Sequence, residues 1–241
     1  MTTESLQYHI ACKSGDVGGY VLLPGSPNRC PKIAAHFDNP IEVANNREYR
    51  VITGSLLGVK VSVCSTGIGG PSTAIAVEEL SAIGAHTLIR VGTSGIMQPH
   101  MKEGELVIAT GAVRDEGTSH QYLPAAFPAI ASPEVVAAYT AALQHMTTHI
   151  GVVHSKDSFY GEVESERMPL KRHLQERWAA WISGGCLCSE MESATLFIVS
   201  SYLAKRAGGL MLAGANHDYE PALCEAAIIG LKELIRRDGL A

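Results

Sequence analysis

Short apolar runs alternate along this chain with longer segments in which apolar residues recur every three or four positions. The runs at 20–23, 59–65, 88–91, 105–113, 150–153 and 209–215 have the length and content of buried strands. The periodic segments at 29–36, 71–83, 133–146, 194–205 and 220–237 have the spacing of helices that bury one face. Residues 47–57 predict one more strand, folded back onto 59–65 through Leu57-Gly58 as a hairpin. Pro71 and Pro133 open helices, and Gly84 closes the first of them. Strands and helices alternate with no repeat and no linker-like stretch, which predicts one α/β domain over residues 1–241.

Composition narrows the function classes. Apolar residues make up 46% and charged residues 18% of the 241, enough for a large core and unlike a disordered chain. A net charge of −5 argues against a general nucleic-acid binder. No apolar run reaches the length of a membrane span, and residues 1–5 lack the basic and apolar pattern of a secretory leader. The six cysteines form no C-x-x-C pair, so a zinc site is not expected, and scattered thiols suit a reducing cytoplasm.

Candidate chemistry gathers where strands end. In T-L-I-R-V-G-T-S-G at 87–95, a buried strand carries Arg90 and then runs into two hydroxyls and two glycines. A buried guanidinium needs a partner, either a bound anion or a core carboxylate. Pro24 to Arg29 forms a turn before a helix, a place where backbone N–H groups meet anions or where a plain surface loop sits. Three glycines at 67–70 let another backbone approach closely before the helix at Pro71. Residues 114–131 form a long loop, and 154–162 mixes aromatic, acidic and hydroxyl groups in the manner of a pocket wall or a partly buried loop. Glu190 and Glu192 precede the apolar helix at 194; helix-dipole stabilisation accounts for one, leaving the other for hydroxyl binding.

Seven segments in order carry a resemblance. They are P-G-S-P-N-R at 24–29, N-R-E-Y at 46–49, C-S-T-G-I-G-G-P-S-T at 64–73, R-V-G-T-S-G at 90–95, Q-P-H at 98–100, K-D-S-F-Y-G at 156–161 and S-E-M-E-S-A-T at 189–195. Spanning nearly the whole chain, they resemble the nucleoside phosphorylase superfamily, and K-D-S-F-Y-G points to its uridine-cleaving branch. The resemblance implies a central mixed, twisted sheet flanked by helices. It also implies a cytoplasmic enzyme of nucleoside salvage that cleaves a nucleoside with phosphate to free base and ribose 1-phosphate. A hexamer built as a trimer of dimers, with the site across the dimer interface, goes with it.

Carried over by position, the resemblance assigns phosphate to Gly25, Arg29, Arg90 and Thr93, joined by Arg47 of a neighbouring subunit. It assigns ribose to Met191 and Glu192, with His9 of a neighbour, and the base to Ser94, Gly95 and Phe159. Inorganic phosphate is a co-substrate and no cofactor is required; Glu48, Ile68 and Ser72 match a monovalent-cation site between subunits, potassium in kind. Three phosphate-binding arginines weigh against a hydrolytic nucleosidase.

Three positions depart from the family pattern. Ser26 replaces an aspartate in the P-G-D-P turn. Glu162 stands where the uridine branch has a base-contacting glutamine followed by an arginine. An ionised carboxylate only accepts, so it faces a uracil carbonyl badly, and Arg167 is the nearest candidate for the missing donor. His217, beside Asp218, occupies the place of the purine enzymes' general acid, and reads either as an acid near neutral pH or as a solvated loop histidine. Uridine is the first expected substrate. A purine or modified-base nucleoside is the runner-up, followed by hydrolysis or a nucleoside-binding protein without turnover.

Overall fold

The computed structural model describes residues 5–241. The reading of residues 1–5 as carrying no leader therefore lies, but for Ser5, outside the described residues. The strands are β1 (Tyr20–Pro24), β2 (Asp38–Asn46), β3 (Tyr49–Leu56), β4 (Val59–Cys64), β5 (Thr87–Ile96), β6 (Leu106–Asp115), β7 (Ala129–Ile130), β8 (Thr148–Lys156), β9 (Cys188–Glu190) and β10 (Arg206–Ala213). The helices are α1 (Arg29–Ala34), α2 (Gly70–Ala82), α3 (Pro133–Ala142), α4 (Phe159–Val163), α5 (Lys171–Ser183), α6 (Ser193–Tyr202) and α7 (Glu220–Arg237). No helix among the described residues is long and apolar enough to cross a membrane.

All ten strands belong to one mixed sheet, in the order β10-β6-β8-β9-β5-β1-β4-β3-β2, with β7 on β6. β10 also pairs with β5, so β5, β10, β6, β8 and β9 close into a ring from which the other strands extend as an arm. β5 is the hub, parallel to β1 on one side and to β10 on the other. Its neighbour β1 ends opposite Val91, and β9 takes up pairing only at Gly95. Residues 92–94 thus have no strand partner on that side. A cleft where neighbouring strands part at their carboxyl ends is where α/β sheets place ligands.

Alternation along β5 sorts its side chains between two cores. Leu88, with Val21 and Leu23, packs in the layer shared with α2 and α6. Ile89 and Val91 pack in the layer shared with α1, α3 and α7. Arg90 therefore shares the face of Leu88 and meets the start of α6. That helix is buried from Ser193 to Ser200, which explains a sequence apolar all round rather than along one stripe.

Several elements differ from the sequence expectation. β2 is a mostly exposed strand with few apolar residues, and its pattern gives no strand signal. It exists through antiparallel pairing with β3, carries Pro40 and is interrupted by bulges, as edge strands often are. The strand expected from Arg47 starts instead at Tyr49, because Arg47 occupies a left-handed turn (φ 55°). The Leu57-Gly58 hairpin is present, with both residues at positive φ (53° and 78°), the geometry that two-residue hairpin turns favour. β8 runs on to Lys156, so His154, Ser155 and Lys156 are strand rather than loop residues. α4, α5 and the three-residue β9 lie in stretches where polar residues mask the periodicity.

A charged clasp ties the chain's end to the sheet. Arg206 Nη1 and Nη2 donate to Asp238 Oδ1 and Oδ2 at 2.9 and 2.6 Å, and Tyr20 Oη donates to Asp238 Oδ2 at 2.5 Å. The Arg206 hydrogen bonds hold the Asp238 carboxyl below its usual range, against a smaller opposing effect of burial. A depressed carboxyl stabilises the fold above its unfolded pKa of about 3.9, and that contribution is lost as pH falls through the folded value. Asp238→Asn is expected to cost about 1–2 kcal/mol at pH 7. In thermal melts its difference from wild type should close as the pH drops below 4; a gap independent of pH would refute the assignment.

Candidate active site

The site is built around the unpaired edge of β5. Arg90 is 6% exposed, and its guanidinium lies back over Gly92, where an added Cβ would come within 2.7 Å of Nη2. Glycine there leaves room for the cation. Arg90 Nε lies 2.6 Å from Glu190 Oε2, and Nη2 meets Glu192 Oε2. Burial works against the charge of Arg90, and the two carboxylates outweigh it, holding its pKa above the usual value. One of the two sequence readings of Arg90 is met, since it is paired with core carboxylates, and among the described residues its buried Nη1 has no hydrogen-bond partner. A buried guanidinium N–H without an acceptor is costly unless a ligand oxygen meets it.

The two glutamates have different partners. Glu190 accepts from the backbone N–H groups of Glu192 (2.9 Å) and Ser193 (3.0 Å) and from Ser155 Oγ, capping the start of α6. Glu192 is held by Arg90 and by the N–H of Gly69 at the start of α2. Burial raises the pKa of Glu192; Arg90 pulls it back, and neighbouring Glu190 pushes it up again. A carboxylate kept in place by a cation and a helix start is fixed in position, and each of its oxygens keeps a lone pair that can accept a further donor.

Other expected residues converge on the same strand ends. Gly25 packs against the Gly67 carbonyl, and the Thr66 N–H donates to the Pro24 carbonyl at 2.9 Å. This joins the turn after β1 to the glycine loop before α2. Arg29 is buried, bonded to the Val91 carbonyl (3.1 Å) and to Glu220 on α7 (2.7 Å), so it reaches the residue next to Arg90. Thr93 is half-buried on the open edge, and Ser94 Oγ donates to the Leu212 carbonyl at 2.9 Å. Met191 is half-buried between the two glutamates.

His9 and Arg47 lie together on an outer patch. His9 Nδ1 is 2.6 Å from Glu79 Oε1, and Asn46 Nδ2 donates to the His9 carbonyl at 2.7 Å. Arg47, at the tip of the β2–β3 turn, stands 5.9 Å above the ring of Tyr8, which is three-quarters exposed. Glu48, Ile68 and Ser72 also share a corner: Ser72 Oγ donates to the Ile68 carbonyl at 3.3 Å, and Glu48 packs on Gly67. Ile68 is 78% exposed there.

On the base side the picture changes. Glu162, on α4, turns Oε1 toward Gly95, 3.3 Å from where a Cβ would stand. Its Oε2 lies 2.5 Å from Lys156 Nζ and accepts from Ser189 Oγ at 2.6 Å. Arg167 is not with it. That side chain is more than half exposed, paired with Glu164 and stacked over Tyr160, so it supplies no donor beside Glu162. Phe159 is half exposed at the start of α4, and His217 is exposed in a 3-10 turn after β10, with Asn216 Oδ1 accepting from the Asp218 N–H. Sequence reasoning missed Lys156. Its signal was weak: it lies at the end of β8, beyond the apolar run 150–153, and only its burial shows that it needs an anion.

A cavity of about 360 Å³ opens between β8, α4 and α5, walled by Lys156, Glu162, Trp178 and Trp181 but not by Arg90, Glu192 or Gly95. The unpartnered Arg90 donor and Glu192 lie instead at the open edge of β5.

The chain matches the profile of the phosphorylase superfamily over residues 20–226. It is 48% identical to uridine phosphorylase of Treponema pallidum, covering 96% of this chain and 95% of that one, and 41% identical to uridine phosphorylase of Escherichia coli, covering 88% and 86%. A guanosine phosphorylase of Halorubrum lacusprofundi is 37% identical over 87% of this chain and 83% of its own. The crystal structure of uridine phosphorylase from Vibrio fischeri superposes with a TM-score of 0.87 at 35% identity, covering 98% of this chain and all of that one. With its profile matched from β1 into α7 and its fold shared throughout, the chain belongs to the phosphorylase superfamily.

Proposed function

We propose that this protein is a pentosyltransferase that cleaves uridine with inorganic phosphate to uracil and ribose 1-phosphate. The observation that carries the reading is Arg90, whose unpartnered donor is buried at the open edge of β5 beside Glu192. The names of the Treponema and Escherichia relatives, at 48% and 41% identity, support uridine as the nucleoside.

In this reading Arg90, Arg29, Thr93 and the Gly25 turn hold phosphate below the sugar. Glu192 accepts the ribose hydroxyls with Met191 against the ring, and Ser94, Gly95, Phe159 and Glu162 line the base. The bond from C1′ to the uracil nitrogen breaks as a phosphate oxygen bonds to C1′. The leaving electron pair goes to uracil, which then takes up a proton. Arginine forks suit the phosphate dianion, and fixed charges at a buried site stabilise the cationic sugar and anionic base of the transition state. His217 stands after β10 as the candidate acid for this proton.

The site is completed by a second copy of the chain. Arg47 and His9 share one outer patch, the arrangement expected of residues that serve a neighbour, and the dimers would assemble further into a hexamer. The Glu48–Ile68–Ser72 corner is the place for a monovalent cation between copies. Six unpaired cysteines support a cytosolic setting, and recovery of uracil from uridine gives the enzyme a place in nucleoside salvage. Light scattering that finds a fully active monomer would refute the shared site.

The test is base release from uridine, thymidine, cytidine, inosine, guanosine and adenosine, each with and without phosphate. Phosphate-dependent release from uridine is the expected result. Preference for guanosine or inosine would move the substrate to a purine and leave the phosphate chemistry intact. Release without phosphate would overturn phosphorolysis.

A further inference from the structure

Lys156 is a buried cation with a defined set of partners. Its Nζ donates to Ser189 Oγ at 2.7 Å and lies 2.5 Å from Glu162 Oε2. An ammonium has three N–H groups, so one remains for a ligand. Glu162 is placed in the complementary way: Oε2 is taken by Lys156 and Ser189, and Oε1 is turned toward Gly95 at the end of β5. β9 fixes this relation, because Ser189 pairs in register with Gly95.

We infer that Lys156 and Glu162 read the uracil edge as a unit. Glu162 Oε1 accepts from N3–H, and Lys156 Nζ donates to a neighbouring carbonyl oxygen. The pair thereby offers the donor and the acceptor that one glutamine amide would offer alone, and Arg167 is not needed. As the bond from C1′ to N1 breaks, negative charge spreads onto the uracil carbonyls, and the ammonium is there to meet it. The inference rests on the uridine reading given above.

The experiment compares wild type, Glu162→Gln, Lys156→Met and the double variant K156M/E162Q on uridine and on 3-methyluridine, at saturating phosphate, with melting temperatures alongside. Each single variant leaves a buried charge without its partner and should lower kcat/KM for uridine by about 10- to 100-fold. The double variant should recover to within about tenfold of wild type, since the amide both donates and accepts. Wild type should prefer uridine over 3-methyluridine by about 100-fold or more, and Glu162→Gln should shrink that ratio, because Lys156 draws the amide oxygen and leaves the NH2 facing N3–H. Single variants within threefold of wild type on uridine, or an unchanged ratio across the series, would overturn the inference while leaving uridine as substrate. A wild-type enzyme that releases no uracil would overturn the uridine reading, and this inference with it.

Discussion

Arg90→Ala is expected to lower kcat/KM for phosphorolysis by about 10³, close to 4 kcal/mol of transition-state stabilisation. It removes the buried guanidinium on β5 whose Nη1 has no partner among the described residues. The loss should appear as a failure to saturate with phosphate, while nucleoside binding persists in a competition assay. The same substitution leaves Glu190 and Glu192 buried without their cation, so a cost of about 3–5 kcal/mol in stability is also expected. Arg90→Lys separates the two effects. It keeps the charge beside the glutamates and should melt near wild type, yet it lacks the planar fork and should remain at least tenfold impaired. An Arg90→Ala protein that folds and turns over at the wild-type rate with normal phosphate saturation would remove Arg90 from the phosphate site.

Glu192→Gln should lose about 100-fold in kcat/KM for uridine, because a carboxylate poised for the ribose hydroxyls becomes a weaker, neutral acceptor. Stability should move the other way. Burial raises the pKa of Glu192 in the folded protein above the value of about 4.3 that the unfolded chain would have. Below that value both states hold the proton and Glu192 contributes no pH dependence. As pH rises above it the unfolded state releases the proton first, so the fold loses stability until the folded pKa is passed. The neutral isostere escapes this loss. At pH 8 the variant should melt at or above the wild-type temperature, and the difference should shrink toward pH 4. A variant that melts lower at pH 8, with the gap closing toward acid, would show that the attraction of Arg90 outweighs burial. Such opposition between stability and activity is expected where a charge is buried for function.

Much of the site was legible along the chain because its groups sit at the ends of strongly patterned elements. Arg90 stood out as a charge inside an apolar strand, and Gly92 followed it at the position over which the guanidinium folds. That one of the two glutamates caps the helix was readable from their place before an apolar helix; that it is Glu190 came from the structure. Polar elements were harder. β2 has no alternation to read, since its existence depends on the edge that β3 offers. α5 buries none of its residues fully, so it imposes little pattern on the sequence.

The base side shows where reading by position fails. Glu162 and Arg167 are five residues apart, which made Arg167 a reasonable donor for that carboxylate. The backbone between them turns through α4 and a 3-10 turn, carrying Arg167 out to Glu164 and Tyr160. Lys156, six residues on the other side, arrives because β8 continues farther than its apolar run and points the lysine inward.

The sequence by itself determined the α/β class, Arg90 as a charge inside a buried strand that needs a partner, two carboxylates at 190 and 192 before an apolar helix, and the glycine loop at 67–70. Local pattern suffices there, because periodicity, glycine placement and the cost of burying charge act on near neighbours in the chain. That the two carboxylates are the partners of Arg90 came from the tertiary structure. The tertiary structure alone decided that β5 loses one neighbour at residues 92–94, that His9 meets the Arg47 turn, and that Glu162 takes Lys156 as its counter-ion. Those facts depend on which strands pair and in what register, and on charges brought within 3 Å from separate elements, relations that only packing of the whole chain can set.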